Sequence, residues 1–200
     1  MTKDARIREI HHRVKNNLQT VSALLRLQSR RSSEEAVKVA LAEAERRVQA
    51  IATVHAALSQ NVDESVDFDE VARTIVRMAG AIASTDHAVE VITTGSFGTI
   101  QADQAQALAT VLNELVANSV EHGLADRDGL IEVRAEREGT SMTVTVADNG
   151  VGFVPGTPMS GLGTQIVHQM VRGELKGSIE WAPREGGGTL VTLHANLDPA

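Results

Sequence analysis

The chain has 200 residues, enough for one large or two small domains with a sizeable hydrophobic core. It has no cysteine, which excludes disulfides, thiolate catalysis and cysteine zinc sites. With no Tyr, one Trp and three Phe, a base-stacking platform is not expected. No apolar run reaches membrane-spanning length and no signal segment opens the chain. We therefore expect a cytoplasmic protein that binds neither nucleic acid nor membrane.

The net charge changes sign between the first 60 residues and the rest of the chain. Residues 1–60 hold 11 Lys and Arg against 6 Asp and Glu, a balance of +5. Residues 61–200 hold 8 against 20, a balance of −12. Such a change predicts two domains. The basic part is either a solvated surface or a functional face, and composition leaves both open.

The first 60 residues predict a helical hairpin. Apolar residues at three-to-four spacing predict two helices of about 25 residues each. The stripe expected to be buried on the first comprises Ile7, Ile10, Val14, Val21, Leu24 and Gln28, with Asn17 and Leu18 filling its middle turn. The connection "RRSSEE" offers Ser32 or Ser33 as a cap for the second helix. Two helices bury such stripes poorly alone, so we predict a homodimeric four-helix bundle over residues 1–62.

After a polar linker at 61–68 the pattern becomes mixed. The predicted elements are helices at 69–83, 102–122 and 162–172, and strands at 88–95, 129–137, 141–147, 177–182 and 188–195. The strands at 129–137 and 141–147 form a hairpin through Gly139. Residues 66–197 are therefore expected to be an α+β sandwich, with helices on one face of a mixed sheet.

The first chemical motif is "NELVANSVEHG" at 113–123. Glu114 and Asn118 lie one helical turn apart and share a face. A carboxylate beside a carboxamide suits Mg²⁺, which takes few protein oxygens together with water and phosphate. The alternative is a solvated helix face with two polar residues.

The second motif is "VADNGVGF" at 146–153. The carboxylate of Asp148 can only accept hydrogen bonds, so it can select an exocyclic amino group such as that of adenine. Gly150 and Gly152 allow a ring to approach the backbone. The alternative is an ordinary glycine-rich turn.

The third motif is "SGLGTQIV" at 160–167, where Gly161 and Gly163 open an apolar helix. Backbone N–H groups at a helix start attract phosphate. The motif is followed by "GGGTLVTL" on a closing strand. The order and spacing of the motifs carry more weight than any one of them.

Together these motifs resemble the GHKL, or Bergerat, ATP-binding fold over residues 66–196. The resemblance implies ATP and Mg²⁺, with Asn118 as metal ligand and Glu114 as an acidic partner that binds metal or orients water or a proton acceptor. It implies that Asp148 binds adenine with help from Thr189 through water.

The same resemblance assigns backbone roles to glycines. Gly150 and Gly152 would form the adenine wall, Gly161 and Gly163 would contact phosphate, and residues 154–160 would form a lid. Relatives often carry a basic residue where this chain has Glu121. Positive charge for the phosphates would then come from His122, the metal or the N-terminal half.

The stretch "HHRVKNNLQTVSALLRLQ" resembles the phosphoacceptor box of histidine kinases of the HisKA-2 type, which are related to the HWE type. The Trp-x-Glu feature of the HWE branch is missing, and Asn113 replaces its histidine. The resemblance implies a two-component protein-histidine kinase that phosphorylates its own histidine with ATP. Its phosphoryl group would pass to an aspartate of a response-regulator receiver domain.

Helix phase separates the two histidines of this box. With Ile7 and Val14 in the buried seam, His11 flanks the seam and His12 faces water. A nucleophile that meets ATP on another domain must be exposed, so His12 is the predicted phosphoacceptor and His11 the alternative.

The general base is left open between Glu114 and Glu9, because Arg13 stands where many histidine kinases have an acidic residue. Asn16, one turn beyond His12, is a candidate for positioning water in a phosphatase reaction. Three other functions use the same ATP fold: an ATP-driven conformational machine, a serine kinase of the anti-sigma type, and a degenerate pseudokinase.

Overall fold

The computed structural model describes residues 3–58, 65–82, 87–125, 127–153 and 161–199. Its helices are α1 (Lys3–Arg31), α2 (Glu35–Leu58), α3 (Phe68–Ile82), α4 (Ala102–Asn118) and α5 (Leu162–Gly173). Its strands are β1 (Ser65–Asp67), β2 (Val89–Gly95), β3 (Thr99–Gln101), β4 (Gly129–Glu138), β5 (Ser141–Asp148), β6 (Ser178–Pro183) and β7 (Thr189–Asn196). The predicted architecture, a helical hairpin followed by an α+β sandwich, is confirmed.

The hairpin is joined by residues 32–34, where the Ser32 hydroxyl accepts a hydrogen bond from the Glu34 N–H at 3.1 Å. Polar contacts hold the two helices together. The Ser22 hydroxyl, which is buried, donates to Glu45 at 3.1 Å and accepts from the Gln49 amide at 2.7 Å. These contacts set α1 and α2 antiparallel, with Ser22 level with residues 45–49.

The predicted stripe of α1 coincides only in part with the face that packs against α2. Val14 and Leu18 are half-buried as expected, and the covered row continues through Ser22, Leu25 and Ser29. In the rest of the predicted stripe Ile10, Val21 and Leu24 are 57%, 42% and 55% exposed. The expectation was wrong for these three positions within one chain, where the hydrogen bonds of Ser22 fix the rotation of α1. The apolar row is left facing outward, where a second hairpin could cover it, and the homodimer stays a prediction.

The main sheet has the order β2-β4-β5-β7-β6, with β2 and β4 parallel and the other pairs antiparallel. The predicted β4–β5 hairpin is present, and Gly139 takes the positive φ of +62° that its turn requires. Strand β5 alternates exposed or half-buried residues with buried ones, which places its buried side chains under the helical layer.

A small second sheet pairs β1 with β3, Ser65 facing Gln101. Strand β1 and the first residue of α3, Phe68, fall within the stretch that the sequence marks as linker, so the linker prediction was wrong over residues 65–68. The rest of that linker, residues 61–64, lies outside the described residues. The pairing was missed because three-residue strands carry no readable alternation.

Helix α4 is covered on two sides, by the sheet and by α2. Its buried residues run almost without interruption from Gln104 to Ala117, and Ala50 and Val54 of α2 are also buried. A helix with one solvated face would show a polar stripe instead. The alternative of an exposed polar face is therefore wrong for Glu114, whose exposure is 5%. The hairpin thus packs directly beside the motif "NELVANSVEHG".

The predicted helix 102–122 changes character at its end. After Asn118 the chain forms a π-helical turn, Ser119–Gly123, in which the Leu124 N–H donates to the Ser119 carbonyl at 2.8 Å. Such wide turns are common at functional sites. Here the turn brings Gly123 against Asp148, where a Cβ on Gly123 would lie 2.8 Å from the carboxylate carbon.

Candidate active site

A cavity of about 290 Å³ opens beside α4 and is bounded by α2, β5, β7 and the start of α5. It collects most of the residues that the three motifs predict. The predicted residues that line it are Glu114, Asn118, His122, Asp148, Gly152, Gly161, Gly163 and Thr189. The proposed lid, residues 154–160, lies outside the described residues.

Three predicted site residues do not line this cavity. His12 and Asn16 lie on α1. Gly150 lies behind the cavity, where a Cβ would stand 1.9 Å from the Gly123 carbonyl oxygen. Gly150 therefore permits the close approach of two backbone segments, while Gly152, with φ of +71°, is the glycine of this motif that faces the cavity.

The carboxylate of Asp148 is buried, with 3% exposure, and is fixed by the backbone. The N–H of Gly150 donates to Oδ1 at 2.9 Å and the N–H of Thr189 donates to the same oxygen at 3.2 Å. Among the described residues both contacts go to Oδ1, so Oδ2 can accept a hydrogen bond from a ligand. Leu115, Trp181 and Val191 supply apolar surface to the same cavity. This end of the cavity fits a flat base with an amino group.

Glu114, Asn118 and His122 follow one another at successive turns along α4 and its π-helical extension, and all three line the cavity. In the described part of the chain no three His, Asp or Glu side chains cluster closely enough to hold a metal ion. The donor set fits a hard cation that draws most of its ligands from phosphate and water, as Mg²⁺ does.

The sequence did not reveal that α2 also lines the cavity. Glu43, Arg46 and Arg47 contribute to its wall. Arg47 forms a two-pronged ion pair with Glu114, with Nε to Oε1 at 2.8 Å and Nη2 to Oε2 at 3.1 Å. The only sequence signal was the basic balance of the first 60 residues, which does not single out these positions.

The Arg47–Glu114 pair is well shielded, since the side chains are 16% and 6% exposed. The hydrogen bond to Glu114 raises the pKa of Arg47 above its already alkaline ordinary value, against an opposing effect of burial. The guanidinium of Arg47 is therefore charged near neutral pH. Because both oxygens are engaged, the pairing with Arg47 competes with metal binding or proton acceptance by Glu114.

We expect Arg47→Met to lower the free energy of unfolding by about 3 kcal/mol, because it leaves a buried carboxylate without a partner. Urea unfolding followed by circular dichroism measures this change. The double variant Arg47→Met, Glu114→Leu should recover most of the loss, since it removes both charges. Arg26→Met, which removes an exposed guanidinium from Glu45, is the matched control and should change little. Equal losses in the single and double variants would show that packing, not charge, is responsible.

The phosphoacceptor candidate lies on the outer surface of the hairpin. His12 is exposed, Asn16 is exposed on the next turn, and the His11 side chain lies outside the described residues. The choice between the two histidines therefore stays a prediction. Arg13 donates from Nη2 to Glu9 at 2.6 Å, a helical ion pair that engages one candidate base.

His12 and the cavity are at different levels of the hairpin. The cavity meets α2 at residues 43–47, which are level with Ser22 and Arg26 of α1. His12 precedes Ser22 by ten residues, or about 15 Å along the helix axis. The structure therefore does not bring His12 to the cavity.

The chain matches two family models. One, described as histidine kinase and named HisKA_2, matches residues 9–82. The other, described as histidine kinase-, DNA gyrase B-, and HSP90-like ATPase, matches residues 103–199. Together they cover both halves of the fold, and the chain belongs to the histidine kinase family.

Within this family the chain is 46% identical over 202 residues to the sensor histidine kinase PdtaS of Mycolicibacterium smegmatis, covering 98% of this chain and 40% of the relative. It is also 46% identical over 198 residues to PdtaS of Mycobacterium tuberculosis, covering 96% and 40%. The chain therefore spans 40% of the length of these curated relatives.

Among solved structures, the fold is similar to the histidine kinase domain of the blue-light activated histidine kinase EL346 from Erythrobacter litoralis. The TM-score is 0.64 at 23% identity, over 97% of this chain and 92% of that one. None of the helices in the described part of this chain has the length and apolarity needed to cross a membrane.

Proposed function

We propose that this chain is the core of a two-component protein-histidine kinase, which phosphorylates His12 with ATP and passes the phosphoryl group to an aspartate of a response-regulator receiver domain. The observation that carries the proposal is the Asp148 site. A buried carboxylate, anchored through one oxygen and open through the other, lies in a cavity with Asn118 and the glycine-opened start of α5.

The residues of the cavity have complementary roles in this proposal. Oδ2 of Asp148 accepts a hydrogen bond from the adenine amino group, with Thr189 beside it. Gly161 and Gly163 present backbone N–H groups to the phosphates at the start of α5. Mg²⁺, when bound through Asn118 and the phosphates, would offset the negative charge of the triphosphate.

The chemical step is in-line attack by the unprotonated ring nitrogen of His12 on the γ-phosphorus. An N–P bond forms, the P–O bond to ADP breaks, and its electron pair leaves with ADP. The proton on the other ring nitrogen passes to solvent or to a base, for which Glu114 and Glu9 remain the candidates. Histidine suits this step because its neutral form is well populated near pH 7.

Transfer in this proposal requires a rearrangement. The gap of about 15 Å along the hairpin must close, either by movement of the ATP-binding half or by use of His12 from a second copy. A second copy would cover Ile10, Val21 and Leu24, which are exposed in the single chain. The Arg47–Glu114 pair must open in the same movement if Glu114 is to act as the base.

The receiver domain would bind to the helical hairpin. A receiver domain presents an acidic pocket, and the first 60 residues carry a balance of +5. Asn16, exposed one turn from His12, would position water for removing phosphate from that partner. The proposal places the chain in the cytoplasm, where ATP and receiver domains are found.

Incubation of the chain with radiolabelled ATP and Mg²⁺ tests the proposal directly. We expect covalent label that is lost in acid and retained in alkali, because the N–P bond of phosphohistidine is acid-labile. Addition of a receiver domain should remove the label. Steady phosphate release without label would indicate an ATP-driven conformational machine, and acid-stable label would indicate a serine kinase.

A further inference from the structure

The cavity is poor in positive charge for a site that is to bind a triphosphate. Four carboxylates line it, those of Glu43, Glu114, Glu121 and Asp148. Among the described lining residues the permanent cations are Arg46 and Arg47, both from α2. The segment 154–160, which the structure does not describe, contains no Lys or Arg. Apart from a bound metal ion, the permanent positive charge available to the phosphates among the described lining residues therefore comes from the hairpin.

Arg46 and Arg47 are not equivalent. Arg47 is committed to Glu114 through two hydrogen bonds. Arg46 makes one ion pair, from Nη1 to Glu121 at 2.7 Å, with its side chain 16% exposed. Its Nε is buried and has no hydrogen-bond partner among the described residues. A buried N–H without an acceptor is unfavourable, so the guanidinium is incompletely satisfied in its present position. Because Arg46 also lines the cavity, a small turn of its side chain would let a ligand there accept from it.

We propose that Arg46 binds the phosphates of the nucleotide, so that the helical hairpin completes the nucleotide site. The inference rests on the proposed function, since it takes ATP as the ligand. The guanidinium fork matches phosphate oxygens, and Glu121 of the π-helical turn, with 36% side-chain exposure, is the partner that phosphate would replace. Nucleotide affinity then depends on the docking of the hairpin, which couples the two halves of the molecule.

The test compares two ligands on the full chain by calorimetry: the non-hydrolysable ATP analogue AMP-PNP with Mg²⁺, and adenosine, which has no phosphate. We expect Arg46→Met to weaken AMP-PNP binding by about 10- to 100-fold, the range for losing a charged hydrogen bond. Adenosine affinity should not change, because Asp148 and the apolar wall are untouched. Arg26→Met, a hairpin arginine that faces Glu45, should leave both affinities unchanged.

Two variants at position 121 exclude a simple folding defect. Glu121→Gln should tighten AMP-PNP binding several-fold, since it removes a negative charge and the competing partner of Arg46. Glu121→Lys added to Arg46→Met should restore much of the lost affinity, because position 121 lines the same cavity from the π-helical turn and lies within ion-pair distance of Arg46.

The binding measurements distinguish failure of the Arg46 role from failure of the proposed ATP-dependent function. Unchanged AMP-PNP affinity in Arg46→Met, or equal loss for AMP-PNP and adenosine, would overturn the role of Arg46 while leaving the ATP site in place. If the unaltered chain binds neither ligand, the proposed function fails, and the role of Arg46 fails with it.

Discussion

A His12→Gln variant should take up essentially no phosphate from radiolabelled ATP. Removal of a nucleophile lowers the rate by roughly a thousandfold or more, because no other group at that position can form the covalent bond. His12 is exposed on α1, so glutamine should be accommodated without loss of stability. The measurement is acid-labile label per chain after a fixed incubation.

His11→Gln is the matched control for this prediction, since it makes the same change at the adjacent position. It should retain most of the label. If His11→Gln loses the label while His12→Gln keeps it, the phosphoacceptor is His11 and the heptad phase was read wrongly. Binding of AMP-PNP by both variants would confirm that the nucleotide site is intact.

The second large effect is expected at Asp148. Asn is nearly isosteric with Asp, but Gly150 and Thr189 both donate to Oδ1, so the carboxamide must turn its oxygen toward them. Its NH₂ group then faces the ligand, and a donor meets the adenine amino donor. We expect Asp148→Asn to weaken ATP binding by about 100-fold, the cost of leaving such buried groups unpaired.

The same geometry predicts a change of preference. Guanine carries a carbonyl oxygen where adenine carries its amino group, so the turned carboxamide should improve GTP binding relative to ATP. Competition between the two nucleotides measures this ratio. Asp128→Asn, on the exposed turn before β4, is the control and should leave the ratio unchanged. An unchanged ATP affinity in Asp148→Asn would remove Asp148 from the adenine site.

Local sequence patterns predicted most of the helices and strands. The three-to-four spacing predicted α1 and α2, and alternation predicted β4 and β5 with Gly139 at their turn, because burial on one face leaves a periodic record. Features with little periodicity were missed or misplaced. Strand β1 is three residues long, and the π-helical turn at Ser119–Gly123 reads in sequence as the last turn of an ordinary helix.

The part of the candidate site that the ATP-binding half contributes could also be predicted from the sequence. The motifs around Glu114, Asp148 and Gly161 each place chemistry beside a bend in the backbone, and their order along the chain resembles a known ATP site. The sequence could not assign separate tasks to Gly150 and Gly152. That distinction depends on how closely Gly123 approaches the backbone after β5.

By itself, then, the sequence determined the two halves, most of their elements, the carboxylate of Asp148 beside a glycine-rich turn and the histidine-bearing helix, because each is encoded in neighbouring residues. Tertiary structure alone decided that Arg46 and Arg47 of α2 enter the cavity, and that His12 lies well away from it. Arg47 and Glu114 are 67 positions apart in the chain. An ion pair over that separation follows from how the hairpin docks on α4, and no local pattern of charge or hydrophobicity records that docking.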